Sequence, residues 1–213
     1  MITNVIITAG ATRNNIDSMR VITANSSGRT GVLIAECFEQ RGYSVHLLGS
    51  PLALLQPNCP GKTEEYSSTD DLLIKLERLI KKHPSSIVIH CAAVGDFTVR
   101  NAQNLKIPSG QAITLTLHPT PKILDRIKSW DETVTLASFK AAAPATTNED
   151  LQSICITQLE RTQSDVVLGN VLGRLEEDVL VQTPTHSEWF KNRTDGIIRL
   201  IDVLEEISRT KEI

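Results

Sequence analysis

The chain has 213 residues, 40% hydrophobic and 22% charged, enough for one sizeable core and most simply a single domain over residues 1–213. A formal net charge of −3 and a pI near 6.0 argue against a nucleic-acid partner, since phosphate-backbone recognition needs a basic surface. No apolar run approaches the ~20 residues of a membrane span, and the start "MITNVIIT" lacks the basic and long apolar segments of a signal peptide, so no membrane contact and a cytoplasmic protein are expected.

In chain order, Asn4 to Ala9 reads as a buried strand ending at Gly10, and Met19 to Thr23 as a second extended piece. Gly31, Ile34, Ala35 and Phe38 are spaced for one face of a helix from Gly28 to Arg41, with Gly42 as its left-handed stop. Ser44 to Leu48 reads as a strand. Residues 51–66, with Pro51, Pro57, Pro60 and Gly61, read as a loop. Thr69 is expected to cap a helix that buries Leu72, Leu73, Leu76, Leu79 and Ile80 and that Pro84 ends. "SIVIHCAAV" runs without alternation, as a strand buried on both faces does.

The polar stretch Thr98 to Gln111 reads as a mobile loop, and Ala112 to Leu117 as a half-exposed strand. Pro121 suits the first turn of a short helix. "TVTLASF" reads as a strand, and Asn148 as the cap of a helix with Leu151, Ile154, Cys155 and Leu159 inward. Asp165 to Leu168 and "DVLVQT" are further strands. A last helix from Thr194 to Ser208 buries Ile197, Leu200, Ile201 and Leu204. The alternation predicts an α/β fold: a Rossmann-like, mainly parallel sheet with helices on both faces and a ligand crevice at the strands' carboxyl ends.

Four segments fall on that rim: Gly10-Ala11-Thr12, the turn Ser26-Ser27-Gly28, Ala92 to Phe97, and Phe139-Lys140. The turn opens a helix, whose first N–H groups lack intrahelical partners and carry partial positive charge. With Gly28 and Gly31 clearing space and serine hydroxyls adding donors, it reads either as an anion cradle or as a capped helix whose glycines serve close packing. It is neither G-x-G-x-x-G nor a P-loop. Asp96, at a strand end among small residues, can orient a hydroxyl, an amine or a metal, or cap a turn. Lys106 could swing over a phosphate or an oxyanion, or be solvated. Cys37, Cys59, Cys91 and Cys155 form no C-x-x-C pair, and the five His are dispersed, so no metal site is expected.

"ITAGATRNNIDSMRVITANSSGRTG", "HCAAVGDF", "LKI", "LTLHPTPKIL", "ASFK" and "DVVLGN" stand in the order found in phosphopantothenate–cysteine ligases, and the chain resembles a stand-alone form of that domain. The resemblance implies that 4'-phosphopantothenate and cysteine are joined in coenzyme A biosynthesis through an acyl-nucleotidylate, with ATP or CTP as co-substrate and Mg2+. It places nucleotide phosphates at Gly10, Ala11, Ser26, Ser27, Gly28 and Gly31, and the base and ribose at Phe139 and Asn170, with Lys140 beside them. Ala92, Ala93 and Asp96 are implied to meet phosphopantothenate. Arg20 is implied to reach the substrate across a homodimer interface, and Lys106 to sit on a strap, residues 98–111, that closes over the site. A family asparagine tied to amide formation corresponds to Ala24, with Asn25 one place later. Gln158 and Thr162 replace lysines of CTP-using members, and "SFK" is similar to the ATP-using branch. The alternatives left open are a divergent homologue that activates another carboxylate, and a non-catalytic binding module.

Overall fold

The computed structural model describes residues 4–100, 102 and 105–211. The elements in order are β1 (Asn4–Ala9), β2 (Arg13–Asn15), β3 (Val21–Thr23), α1 (Arg29–Gln40), β4 (Ser44–Gly49), α2 (Pro51–Leu54), β5 (Thr63–Glu65) and α3 (Thr69–Lys82). There follow β6 (Ile87–His90), β7 (Phe97–Val99), β8 (Leu117–Pro119), a 3-10 turn (Ile123–Arg126), α4 (Ile127–Trp130) and β9 (Thr135–Ala142). The chain closes with α5 (Asn148–Thr162), β10 (Val166–Val171), β11 (Val179–Gln182), β12 (Ser187–Phe190) and α6 (Arg193–Lys211).

The main sheet runs β5-β4-β1-β6-β9-β10-β11-β12. Its first six strands are parallel, β11 runs antiparallel to them, and β12 runs antiparallel to β11. Strand order reverses between β1 and β6, which makes their carboxyl ends the topological switch point. β2–β3 and β7–β8 form two antiparallel ribbons beyond that rim.

The β-branched run Val5-Ile6-Ile7 is buried on both sides because both faces of the sheet are covered. Val5 and Ile7 pack with Ile34 and Phe38 of α1 and Leu200 and Leu204 of α6. Ile6 and Val88 pack with Leu72 and Leu76 of α3 and Ile127 of α4, and α5 covers Val167 and Leu180 with Leu151 and Cys155. Burying each such aliphatic side chain contributes roughly 1.5–3 kcal/mol.

Several local expectations are corrected. Residues 51–66 are not all loop: Ser50 accepts from the Ala53 N–H at 3.3 Å and Pro51 occupies the first turn of α2, while Thr63–Glu65 extends the sheet. The caps of α3 and α5 are Ser68 and Thr147, each one residue before the expected Thr69 and Asn148. Thr69 is instead buried, its N–H donating to Asn14 Oδ1 at 3.1 Å. In Ala112 to Leu117 only Leu117 enters a strand, and Ile113, Leu115 and Leu117 are exposed, so the alternation has no core to face. "SIVIHCAAV" is strand only through His90; beyond it Ala93 forms an isolated bridge with Ala11. β12 carried no expectation.

Candidate functional site

The loops after β1 and β6 are fastened together across the switch point. Ala93 N–H donates to Gly10 O at 2.8 Å, Thr12 N–H to Ala93 O at 3.2 Å, and Gly95 N–H to Thr12 Oγ1 at 2.9 Å. Below them Thr8 Oγ1 accepts from Ala92 N–H at 3.1 Å and lies 3.0 Å from His90 Nδ1. His90 is buried and its pKa is pushed down to about 4 by desolvation, so it is neutral at pH 7. These contacts hold Ala92, Ala93 and Gly95 as a fixed ledge. Asp96 at its end is exposed and pairs with Lys122, while its carbonyl accepts from Thr120 N–H at 2.9 Å.

Helix α1 begins beside this ledge. Gly28, at φ 80°, occupies the cap position, and no side chain caps the helix. Of the first-turn N–H groups, that of Arg29 donates to Ser27 Oγ at 3.4 Å; the helix start carries partial positive charge. The glycines have a further reason. A β-carbon on Gly28 would stand 2.3 Å from Ala53 Cβ, one on Gly31 2.6 Å from Ala9 Cβ, and one on Gly10 2.0 Å from Ser50 Oγ. Their missing side chains thus clear room for protein, not for open cleft, and draw α1, α2 and the first loop together. The close-packing reading of the glycines therefore holds.

Ser26 is half-buried and Ser27 exposed. Ala24, Asn25 and Ser26 line a cavity of about 450 Å3 with Ala11, Arg13 and Leu52. Asn25 therefore shares one cavity with Ala24, although adjacent side chains leave the backbone in different directions.

Phe139 and Asn170 reach the same rim from β9 and β10. Phe139 packs on the α1/α6 side; Asn170 is buried, its amide placed to donate to Lys140 O at 3.2 Å and accept from Arg193 Nη1 at 3.0 Å. Arg193 Nη2 also donates to Thr30 Oγ1, in the first turn of α1, at 3.3 Å. Lys140 leaves the strand on the other face, where its charge acts on Cys155 of α5. Gln158 and Thr162 are buried beneath β9, with Gln158 Nε2 donating to Ser138 Oγ at 2.9 Å, so neither reaches the crevice.

Arg20, in the turn of the β2–β3 ribbon, holds the residue after Lys106: its Nη2 donates to Ile107 O at 2.5 Å. Lys106 is exposed. Positions 101, 103 and 104 of the strap lie outside the described residues. Arg193 and Asp17, an enclosed carboxylate beside Arg20, were not singled out by sequence. A cation opening a helix, against the macrodipole, was the available signal for Arg193.

Residues 2–194 match the family model of the DNA/pantothenate metabolism flavoprotein C-terminal domain. The chain belongs to that family. Among curated relatives, the coenzyme A biosynthesis bifunctional protein CoaBC of Thermococcus kodakarensis is 40% identical over 180 residues, covering 83% of this chain and 44% of that protein. CoaBC of Haemophilus influenzae is 33% identical, covering 78% and 40%. The chain thus spans less than half the length of these relatives. The crystal structure of the DNA/pantothenate metabolism flavoprotein from Streptococcus pneumoniae superposes with a TM-score of 0.83 at 26% identity, over 97% of this chain and all of that one. A Cab2 mutant in complex with phosphopantothenate-cysteine shares the fold, with a TM-score of 0.74 at 20% identity over 97% and 89% of the two chains. This flavoprotein C-terminal domain fold carries no helix long and apolar enough to cross a membrane among its described residues.

Proposed function

We propose that the chain ligates 4'-phosphopantothenate to cysteine through an acyl-nucleotidylate, using ATP or CTP. Membership of the flavoprotein C-terminal domain family carries this reading, and the rim supports it: the start of α1, whose cap residue is a glycine, adjoins a fixed small-residue ledge.

In the first step a carboxylate oxygen of phosphopantothenate bonds to the nucleotide's α-phosphorus. The bridging oxygen leaves with its electron pair as pyrophosphate. In the second, the cysteine amine attacks the acyl carbon, the acyl–oxygen bond breaks to release nucleoside monophosphate, and the nitrogen loses a proton. The first-turn N–H groups of α1, the backbone at Gly10 and Ala11, and Ser26 and Ser27 would hold the phosphates, with Gly28 and Gly31 shaping the turn. Phe139 and Asn170 would border base and ribose, with Lys140 at the rim behind them. Ala92, Ala93 and Asp96 would seat phosphopantothenate, and Lys106 would face the developing oxyanion. Asn25, which lines the same cavity as Ala24, would serve as the amide donor of the second step.

Among the described residues no three His, Cys, Asp or Glu gather into a metal site. Asp96 is the carboxylate on the ledge that would help hold Mg2+, which when bound would neutralise polyphosphate charge. A homodimer is part of the reading. Exposed Phe97, Ile113, Leu115 and Leu117 on the β7–β8 arm offer apolar surface for a second copy, across which Arg20 would act.

The test supplies phosphopantothenate, cysteine, Mg2+ and either ATP or CTP. Pyrophosphate release coupled to amide product is expected with at least one nucleotide; release with neither overturns the reading. Omitting cysteine should leave an acyl-nucleotidylate.

A further inference from the structure

The turn between β2 and β3 encloses a carboxylate that grips a segment far along the chain. The Asp17 side chain has no exposed surface. Its Oδ1 accepts from the N–H groups of Met19 at 2.9 Å and Arg20 at 2.7 Å, which closes the turn. Its Oδ2 accepts from Arg20 Nε at 2.9 Å and from Ile107 N–H at 3.0 Å. Arg20 Nη2 completes the arrangement by donating to Ile107 O at 2.5 Å.

Both backbone polar groups of Ile107 are therefore taken by one ion pair. A peptide held at its N–H and its C=O has its position and direction fixed, as in a strand pair. The segment being held is polar and largely exposed at Leu105, Lys106, Pro108 and Ser109, so apolar packing supplies little of the anchoring. Closing the turn needs only Oδ1. Oδ2 joins the Arg20 guanidinium to the strap, accepting from both Arg20 Nε and the Ile107 N–H.

We propose that Asp17 is a positioning residue: with Arg20 it clamps the Ile107 peptide and so fixes where the adjoining Lys106 can reach. The inference rests on the reading of Lys106 given above. Lys106 is a flexible point charge, and holding the peptide beside it reduces the freedom lost when it meets a phosphate or an oxyanion.

Asp17→Asn separates the clamp from the turn. It leaves an oxygen for the Met19 and Arg20 N–H groups and puts an NH2 where Oδ2 accepted from Ile107. A lost charge-assisted hydrogen bond predicts a kcat lower by roughly ten- to hundredfold, with KM for the nucleotide near that of the unaltered chain. In a Lys106→Ala background the same substitution should have little further effect, because residues acting as one unit are not additive. In the unaltered chain the Ile107 amide should exchange with solvent far more slowly than that of Lys106, and Asp17→Asn should erase the difference. An additive double variant, or an Ile107 amide exchanging as fast as that of Lys106 in the unaltered chain, overturns the proposal. The exchange measurement needs no substrate and no variant. A chain that makes no product would defeat the ligase reading while still reporting on the clamp.

Discussion

Gly28, which opens α1, lies directly against Ala53 of α2: a β-carbon on Gly28 would sit 2.3 Å from Ala53 Cβ and 3.0 Å from Gly10 N. With φ at 80°, Gly28→Ala meets both backbone strain and overpacking. A stability loss of about 2–4 kcal/mol is expected by denaturant unfolding. Nucleotide should then raise the melting temperature of the unaltered chain but not that of the variant, since ligand binding stabilises the folded state. A Gly28→Ala chain as stable as the original would show that the loop does not pack as described.

His90 should hold its neutral form far into acid. Its buried pKa of about 4 lies below the ordinary value near 6.5. The native state therefore binds fewer protons than the unfolded chain in that interval. The stability so held is complete above pH 6.5 and is lost as the pH falls through 4, a contribution of roughly 3 kcal/mol. Imidazole NMR titration checks this directly: an inflection for His90 near 6.5 would mean that its pocket is wet.

Asp17 answers acid in the same direction for a different reason. Hydrogen bonds, first that from the Ile107 N–H, hold its carboxyl well below the usual carboxylate range against the cost of desolvation. Its contribution is present above the unfolded value near 4 and is lost as the pH drops toward the folded one. Unfolding curves from pH 5 to 2 should be flatter for Asp17→Asn than for the unaltered chain, and equal slopes would refute the assignment.

Burial pushes the Cys91 and Cys155 thiols up to about 12. At pH 8 roughly one such thiol in ten thousand is ionised. Alkylation of the native chain should leave Cys155 unmodified and label half-buried Cys91 slowly, and unfolding should expose both. Rapid native labelling of Cys155 would contradict the packing of α5 on Gly169, whose absent side chain leaves room for its Sγ.

Because Arg20 holds Ile107 of its own chain, Arg20 and Lys106 travel together. A site shared across a dimer should then complement in one combination. Arg20→Ala mixed with Asp96→Ala should recover activity, since one of the two sites in a mixed dimer is intact. Arg20→Ala mixed with Lys106→Ala should not. Recovery in the second mixture would place Arg20 and Lys106 in different sites.

Much of the sheet was legible because its strands are buried on both faces and read as continuous apolar runs: Val5-Ile6-Ile7 and Ile87-Val88-Ile89 have no other reading. Helices α1 and α3 declared themselves by spacing, and Gly42 by its left-handed stop. Their caps slipped by one residue because Ser68-Thr69 and Thr147-Asn148 are pairs of equally good cappers. The rim segments were found because small residues at strand ends are a local signal. What joins them to one another is not local. The Ala93 to Gly10 bond, the Arg193 bridge to Thr30 and the Asp17 grip on Ile107 join residues far apart in the chain, and no spacing rule reports such contacts. The exposed Ala112 to Leu117 misled for a related reason: alternation signals a half-buried strand when one face has a core beneath it, and here it has none.

The most direct measurement follows an oxygen atom. Phosphopantothenate labelled with 18O in its carboxylate is turned over with cysteine, Mg2+ and the active nucleotide, and the released nucleotide and pyrophosphate are weighed by mass spectrometry. Attack on the α-phosphorus predicts one label in the nucleoside monophosphate and none in pyrophosphate. Label in inorganic phosphate, or amide product with an unlabelled nucleotide, would contradict the acyl-nucleotidylate and with it the ligase mechanism proposed for this chain.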